Sequence, residues 1–177
     1  MGHKKSQSSL DFRFMSFFFK IRDFFKSPMK KIDKTGVKSG DFILDYGCGP
    51  GSYTFVAAEK VGSNGKIFAT DIHPLAIKKV NKKALKKGLK NIVVIETDCK
   101  TGLDNDSIDI IMCFDVLHDI KDKECILKEF HRVLKPDSRL SFDDHHMSEN
   151  EIIGIITAQG LFQLVEKKKN FYNFSKI

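Results

Sequence analysis

Apolar and polar positions follow two rhythms along this chain, and the places where the rhythm changes divide it into elements. Between residues 10 and 25 apolar side chains recur at helical spacing: Leu10, Phe14, Phe17, Phe18, Ile21, Phe24 and Phe25. Arg13, Lys20, Arg22 and Lys26 fall among them, while Phe12 and Phe19 lie off the stripe. Ser27-Pro28 ends or kinks this helix, and residues 29–37 read as a second, shorter one. Beyond residue 40, short apolar runs of strand type alternate with amphipathic helices. Strands are expected over 42–46, 66–71, 91–97, 108–114 and 139–142. Helices are expected over 52–61, 73–87 and 121–134, with Gly88 as a C-cap. Leu75, Ile77, Val80, Ala84 and Leu85 face mostly inward on the second of these. Lys135-Pro136-Asp137 turns the chain into the fifth strand. A capping box, Ser148-x-x-Glu151, opens a further helix to about Gln159. Two strands, 161–167 and 171–177, joined by a basic turn, close the pattern.

Strands that alternate with helices of this length predict an α/β fold with a mostly parallel sheet. The nearly all-apolar run 108–114 suits a central strand buried on both faces. The chain's 177 residues are enough for one such domain. Residues 41–177 form that domain in this reading, and residues 1–40 form an aromatic, basic helical segment before it. The aromatic helix either packs over the sheet, covers an apolar substrate as a lid, or rests on a membrane surface.

The chemistry starts where the first strand breaks. Asp45-Tyr46-Gly47-Cys48-Gly49-Pro50-Gly51-Ser52 places three glycines in five positions between a strand and a helix. Glycine reaches positive φ there without a Cβ clash and lets the backbone approach a ligand; the helix behind it presents unpaired N–H groups. A dinucleotide fingerprint would carry a third glycine at position 52, where Ser52 stands. Asp45 would repel a pyrophosphate and attract an ammonium group. Asp71, ending the second strand, is placed to accept both hydroxyls of a ribose; its alternative role is to cap the next helix.

The Leu44-Asp45-Tyr46-Gly47-Cys48-Gly49-Pro50-Gly51 run resembles the first motif of the class I S-adenosylmethionine-dependent methyltransferases, closest to the UbiE-like and "type 11" branch. Phe114-Asp115-Val116-Leu117-His118 resembles that family's fourth motif, and Arg132-Val133-Leu134-Lys135-Pro136 another familiar segment. The resemblance covers residues 41–177 and implies a Rossmann-like three-layer sandwich with a seven-stranded sheet ending in an antiparallel hairpin. It implies S-adenosylmethionine as cofactor and S-adenosylhomocysteine as product. Asp45, Gly47, Gly49 and Gly51 would then meet the methionine portion, Asp71 the ribose, and Ile72 the adenine face, with Tyr46, Cys48 and Tyr53 also among the cofactor-binding residues. Asp98 with Cys99 would meet the adenine edge, Asp98 having an Asx turn as its alternative. The Phe114 backbone and Val116–His118 would line the methyl-transfer position, with Phe114, Asp115 and Val116 counted among the cofactor-binding residues.

His118, Asp144, His145, His146 and Tyr53 are the candidates for acid–base work, histidine being suited to neutral pH. A base helps only where the acceptor begins protonated, so a hydrogen-bonded wall residue is the alternative for His118. Asp144-His145-His146 contains metal-ligand types, but no spacing completes a set, and no metal is expected. A small acceptor is expected, apolar if the phenylalanine-rich entrance selects it. No nucleic-acid partner is expected, because no Asn/Asp-Pro-Pro-Tyr motif follows the fourth strand. A cofactor-binding module without turnover and a nicotinamide-dependent oxidoreductase are the competing classes.

Net charge is +7, and its distribution changes the picture more than its sum. Residues 1–40 carry ten Lys and Arg against three acids, and residues 78–90 carry seven Lys and no acid. Such a helix reads as a solvated lysine face or as a footprint for nucleic acid or an anionic membrane. Cys48, Cys99, Cys113 and Cys125 show no metal spacing and read as reduced thiols used as small hydrophobes. No leader is expected, the apolar stretch 14–19 being short and followed by Lys20 and Arg22. No run approaches the length of a membrane span. A cytoplasmic monomer or homodimer is the resulting expectation.

Overall fold

The computed structural model describes residues 27–177; the aromatic stripe over residues 10–25, with its three readings, lies outside the described residues. Helix α1 (Pro28–Thr35) begins on a proline, whose missing N–H costs no bond in a first turn, and ends at Gly36 with φ 73°. Strand β1 (Phe42–Tyr46), helix α2 (Ser52–Val61), strand β2 (Lys66–Asp71), helix α3 (Pro74–Lys87) and strand β3 (Ile92–Glu96) follow. Strand β4 (Ile108–Phe114), helix α4 (Lys123–Val133), strand β5 (Leu134–Asp143), helix α5 (Glu149–Thr157) and the strands β6 (Phe162–Lys168) and β7 (Phe171–Lys176) complete the order.

All seven strands join one sheet in the order β3-β2-β1-β4-β5-β7-β6. The first five pair in parallel, and β7 runs antiparallel to both β5 and β6. This is the mostly parallel sheet that the pattern implied, with the C-terminal antiparallel hairpin that the resemblance implied. Alternation along β4 supplies both cores. Ile111 and Cys113 pack with Ile126, Leu127 and Phe130 of α4 and Ile152 of α5. Ile110, Met112 and Phe114 pack with Ile32 of α1 and Ala57, Ala58 and Val61 of α2. Smaller still, a third cluster joins Phe55 to Val80 and Ala84 of α3. The capping box of Ser148 and Glu151 is present, and Gly88 caps α3 with φ 67°.

Three expectations change. The 135–137 turn does not precede the fifth strand but lies within it. Leu134 pairs with Ile108 and Arg139 with Ile110, so residues 135–138 bulge outward opposite Asp109 alone, with Asp137 at φ 60°. Lys135 Nζ secures the bulge on Asp109 Oδ1 at 2.6 Å. Leu85 is 74% exposed rather than inward. The inward row is Ala76, Val80 and Ala84, spaced by four, and Leu85 is rotated about 100° off it. Finally, Cys99 and Cys125 form a disulfide, while Cys48 and Cys113 are free and buried. Two of the four cysteines are therefore small hydrophobes; the other two cross-link the segment after β3 to the first turn of α4.

Beside that cross-link, Glu129 is buried in α4 and ties down the same segment. Its Oε1 accepts from Thr101 N (2.8 Å) and Thr101 Oγ1 (2.6 Å), and Arg132 bonds both carboxylate oxygens. Burial alone would raise the Glu129 carboxyl, but the Arg132 and Thr101 hydrogen bonds prevail and hold it at about 2.

Candidate functional site

The carboxyl ends of the parallel strands form one rim, where ligands of open α/β sheets sit. The glycine turn stands at its centre because β1 is flanked on both sides. Gly47 N and Cys48 N both donate to Thr70 O of β2, at 2.8 and 2.9 Å, which forces the chain to reverse sharply. Gly47, Gly49 and Gly51 take φ of 72°, 52° and 86°. A Cβ on Gly47 would lie 2.4 Å from Val116 Cγ2. The turn, Asp45, Tyr53 and Phe114 enclose a cavity of about 30 Å3.

Asp45 lies under this turn, and its Oδ2 accepts from Thr54 Oγ1 at 2.6 Å. Burial pushes its carboxyl up to about 7, the Thr54 hydrogen bond opposing and the nearby Asp71 reinforcing. No salt bridge reaches it among the described residues. Asp71 spans two loops: Oδ2 accepts Gly49 N (2.9 Å) and Oδ1 accepts His73 N (2.8 Å). It does not cap α3. His73 does, through Nδ1 on Leu75 N. Burial raises the Asp71 carboxyl against those amide bonds. Ile72 is half exposed beside it.

Tyr46 buries its ring against Phe130 and donates its hydroxyl to Asp98 O at 3.0 Å. The Asp98 side chain is exposed, and the turn it was to make is made by Thr97, which bonds Cys99 N and Lys100 O. Cys99 turns its sulfur to Cys125, so it offers the rim only backbone. Cys48 is buried, and burial pushes its thiol well up.

On the other side of the turn, Asp115 follows β4 at φ 54°, with its N–H on Asp143 O. One of its oxygens accepts both His145 N and His145 Nδ1. Burial raises its carboxyl, but the Lys31 ammonium and the His145 bonds prevail and hold it below the usual range. A single 3₁₀ turn (Leu117–Asp119) then sets His118 over the end of β5. His118 N and Nδ1 both meet Asp144 Oδ2, at 3.2 and 2.9 Å, and Asp144 is fully buried there. Its second oxygen accepts His146 N. The rings of His118, His146 and His145 follow one another, tilted by 42° and 39°, with centroids 4.3 and 4.0 Å apart. Among the described residues no group of three or more His, Cys, Asp or Glu is placed to hold a metal.

Lys31 was missed by sequence reasoning. It sits on α1 amid Lys30 and Lys34 and carries no local signal. Its Nζ reaches Asp143 Oδ1 (2.6 Å) and Asp115 Oδ2 (4.0 Å), above the rings of Phe114 (4.8 Å) and Tyr53 (5.1 Å). Burial would lower its pKa, but Tyr53, Asp143 and Asp115 outweigh it and raise it. Tyr53 itself crosses Phe114 edge-on at 5.0 Å.

A family model described as a methyltransferase domain matches residues 37–176. The chain belongs to the class I S-adenosylmethionine-dependent methyltransferases, in their UbiE-like branch. It is 30% identical over 150 residues to a demethylmenaquinone methyltransferase of Lactobacillus johnsonii, covering 84% of this chain and 59% of that protein. It is 40% identical over 91 residues to the aklanonic acid methyltransferase DauC of Streptomyces sp. strain C5, covering 50% and 41%. The chain thus spans about half the length of the curated relatives it matches. Among solved structures, a SAM-dependent methyltransferase from Aquifex aeolicus aligns with a TM-score of 0.77 at 24% identity, covering 85% of this chain and 89% of that one. A putative S-adenosyl-L-methionine-dependent methyltransferase from Methanococcus maripaludis aligns at 0.81 and 14%, covering 99% and 96%. Both share the fold of this methyltransferase-family chain.

The rim's donor set fits the cofactor this family uses. Three glycines leave the turn without side chains, and a buried carboxyl without an ion partner lies beneath it. A second carboxyl already oriented by two amides stands beside it.

Proposed function

We propose that this chain transfers a methyl group from S-adenosylmethionine to a small, apolar acceptor that carries an ionisable hydroxyl on a ring. The observation that supports this most is the convergence on one rim of Asp45, the glycine turn and Asp71 with the His118–Asp144 pair. Asp45 and the Gly47–Gly51 backbone would hold the amino-acid portion of the cofactor, Asp71 the ribose, Ile72 the adenine face, and Tyr46, Asp98 and Cys99 the wall beyond it. S-adenosylmethionine supplies a methyl already activated on a cationic sulfur. The protein's part is to hold the acceptor in line and to remove its proton.

His118 suits that second task. The buried Asp144 carboxylate, 2.9 Å from Nδ1, can only accept, so Nδ1 carries the proton and Nε2 the lone pair. The exposed Asp119 carboxylate lies farther off, at 3.5 Å from Nε2. Nε2 would take the acceptor's hydroxyl proton, leaving an oxyanion that accepts the methyl on oxygen or on an enriched ring carbon as the S–CH3 bond breaks and S-adenosylhomocysteine leaves. On the carbon route the hydrogen of that carbon is then lost as a proton, which restores the aromatic ring. Asp144 fixes the tautomer and offsets the positive charge that forms. His145 holds Asp115, and both would flank Val116 and Phe114 at the transfer position. Names among the relatives, including the demethylmenaquinone and 2-phytyl-1,4-beta-naphthoquinone methyltransferases, support a ring acceptor of this kind.

The test is transfer of labelled methyl from S-adenosylmethionine into lipid and aqueous fractions of a lysate. Label in the lipid fraction is expected, and a chain that binds cofactor but labels neither fraction is a binding module instead. Asp71→Ala should weaken S-adenosylhomocysteine binding by about 1–3 kcal/mol, the loss for charge-assisted hydrogen bonds; unchanged affinity in calorimetry would leave Asp71 only its loop role. His118→Asn should lower kcat by about a hundredfold or more with that affinity kept. An unaltered kcat would make His118 a wall residue.

A further inference from the structure

The rim is not the only concave surface among the described residues. A groove of about 750 Å3 runs between α2 and α3, starting at Pro50 and Ser52 beside the glycine turn. Its floor is Phe55 and Val56, and its wall is a row of lysines from α3 that includes Lys79, Lys82, Lys83 and Lys86. Helix α3 and its cap carry seven Lys and no acid over residues 78–90. The one acid in the groove wall among the described residues, Glu59, is engaged by Lys87 at 2.8 Å. Leu85, one turn beyond Lys82, stands 74% exposed beside this row. A positive face of this density repels itself, and methyl transfer at the rim does not call for it.

We infer that the α3 lysine face docks this protein on an anionic lipid bilayer. Charge complementarity sets the sign of the partner, and the kind of cation and the apolar neighbours set its class. Every basic residue of the face is lysine, a compact point charge suited to a diffuse layer of anionic headgroups. Arginine, whose planar fork reads individual phosphates and stacks on bases, is absent from it. Nucleic-acid grooves add exposed aromatic rings for base stacking. Among the described residues the one aromatic ring lining the groove, Phe55, is 4% exposed and capped by Lys83 Nζ at 4.1 Å. The exposed apolar neighbour is instead aliphatic Leu85, which enters an acyl boundary readily. Lysine stems lying along the apolar floor keep their ammonium groups at headgroup level. Because the groove begins at Pro50 and Ser52, docking there sets the rim against the lipid surface. No helix of the described residues is long and apolar enough to cross a membrane, so contact through this face is peripheral. The inference concerns a surface, and it stands apart from the identity of the acceptor.

The experiment is vesicle flotation with the full chain at about 0.1 M salt, where exposed charges act over about 10 Å. Vesicles of phosphatidylcholine alone are compared with vesicles carrying about 30% phosphatidylglycerol, the anionic lipid that attracts lysine. Binding is expected to the anionic vesicles only. The triple variant Lys79→Gln, Lys82→Gln, Lys86→Gln should lower the partition coefficient about a hundredfold, with S-adenosylhomocysteine affinity unchanged as the check on folding. Lys167→Gln, Lys168→Gln, Lys169→Gln removes the same charge from the β6–β7 turn and should lower it less than about threefold. Three results overturn the inference: equal binding to neutral vesicles, equal losses in the two variants, or anionic binding untouched by the α3 variant. Displacement from vesicles by a short single-stranded RNA that binds more tightly, and through the same α3 lysines, would assign the face to nucleic acid and also overturn it.

Discussion

Gly47→Ala is expected to abolish cofactor binding and to cost about 2–5 kcal/mol of stability. Two effects add. Gly47 has φ 72°, where an L side chain costs about 1–2 kcal/mol. The new Cβ would also lie 2.4 and 2.8 Å from the two methyl carbons of Val116. Forcing that overlap costs about 1–3 kcal/mol more. The turn cannot slide away, because Gly47 N and Cys48 N share Thr70 O and Gly49 N is held by Asp71. Relief must come from Val116, which would push the Asp115–His118 segment outward. Urea unfolding and calorimetry with S-adenosylhomocysteine read both losses. Adding Val116→Ala should restore the overlap part and leave the φ part. A single variant within about 0.5 kcal/mol of the parent would show that the turn is not under this constraint.

Opening the Cys99–Cys125 bond is the second large effect. The bond closes a segment with a sequence separation of 26. Cross-links of that span stabilise by about 2–4 kcal/mol, chiefly by restricting the unfolded chain. Cys125→Ser should therefore lower the urea-derived stability by about that amount. A dithiol reductant should bring the parent to the same value and leave the variant unmoved. The native segment should keep its place meanwhile, since Thr101 is still held on Glu129. Alkylation under denaturing conditions should block two thiols before reduction and four after it. Equal stability with and without reductant would remove the bond from any role in the fold.

What was legible in the chain is what is encoded locally. The strand–glycine turn–helix at 42–61 needs only neighbouring residues to declare itself, and so does the Ser148 capping box. The helical stripe of α4 is as plain, and Ile126, Leu127, Phe130 and Val133 are buried as their spacing requires. The bulge at 135–138 was half legible: the Pro-Asp turn is there, but only pairing with β4 turns it into part of a strand. Contacts between distant residues left no trace. Lys31 meets Asp143 across 112 positions, and His118 meets Asp144 across 26. Cys99 stands at no telling spacing from another cysteine; its partner is chosen by how α4 packs over the loop. Leu85 departs from the helical pattern for a different reason. One residue rotates a helix by about 100°, which is enough to move a leucine from the inward row to solvent.

The sheet order also has a bearing on how this chain folds. Strand β7 comes after β6 in the chain yet lies inside it in the sheet, between β5 and β6. When β6 emerges, the position beside β5 that it would reach is reserved for a segment still to come. A premature β5–β6 pairing would leave Phe174, fully buried in the finished sheet, with no seat. Formation of the hairpin before docking avoids that trap, since β7 then reaches β5 with β6 already beside it. Until it docks, the flank of β5 is an open edge, and that interval is when this protein is most exposed to pairing with a second copy of itself.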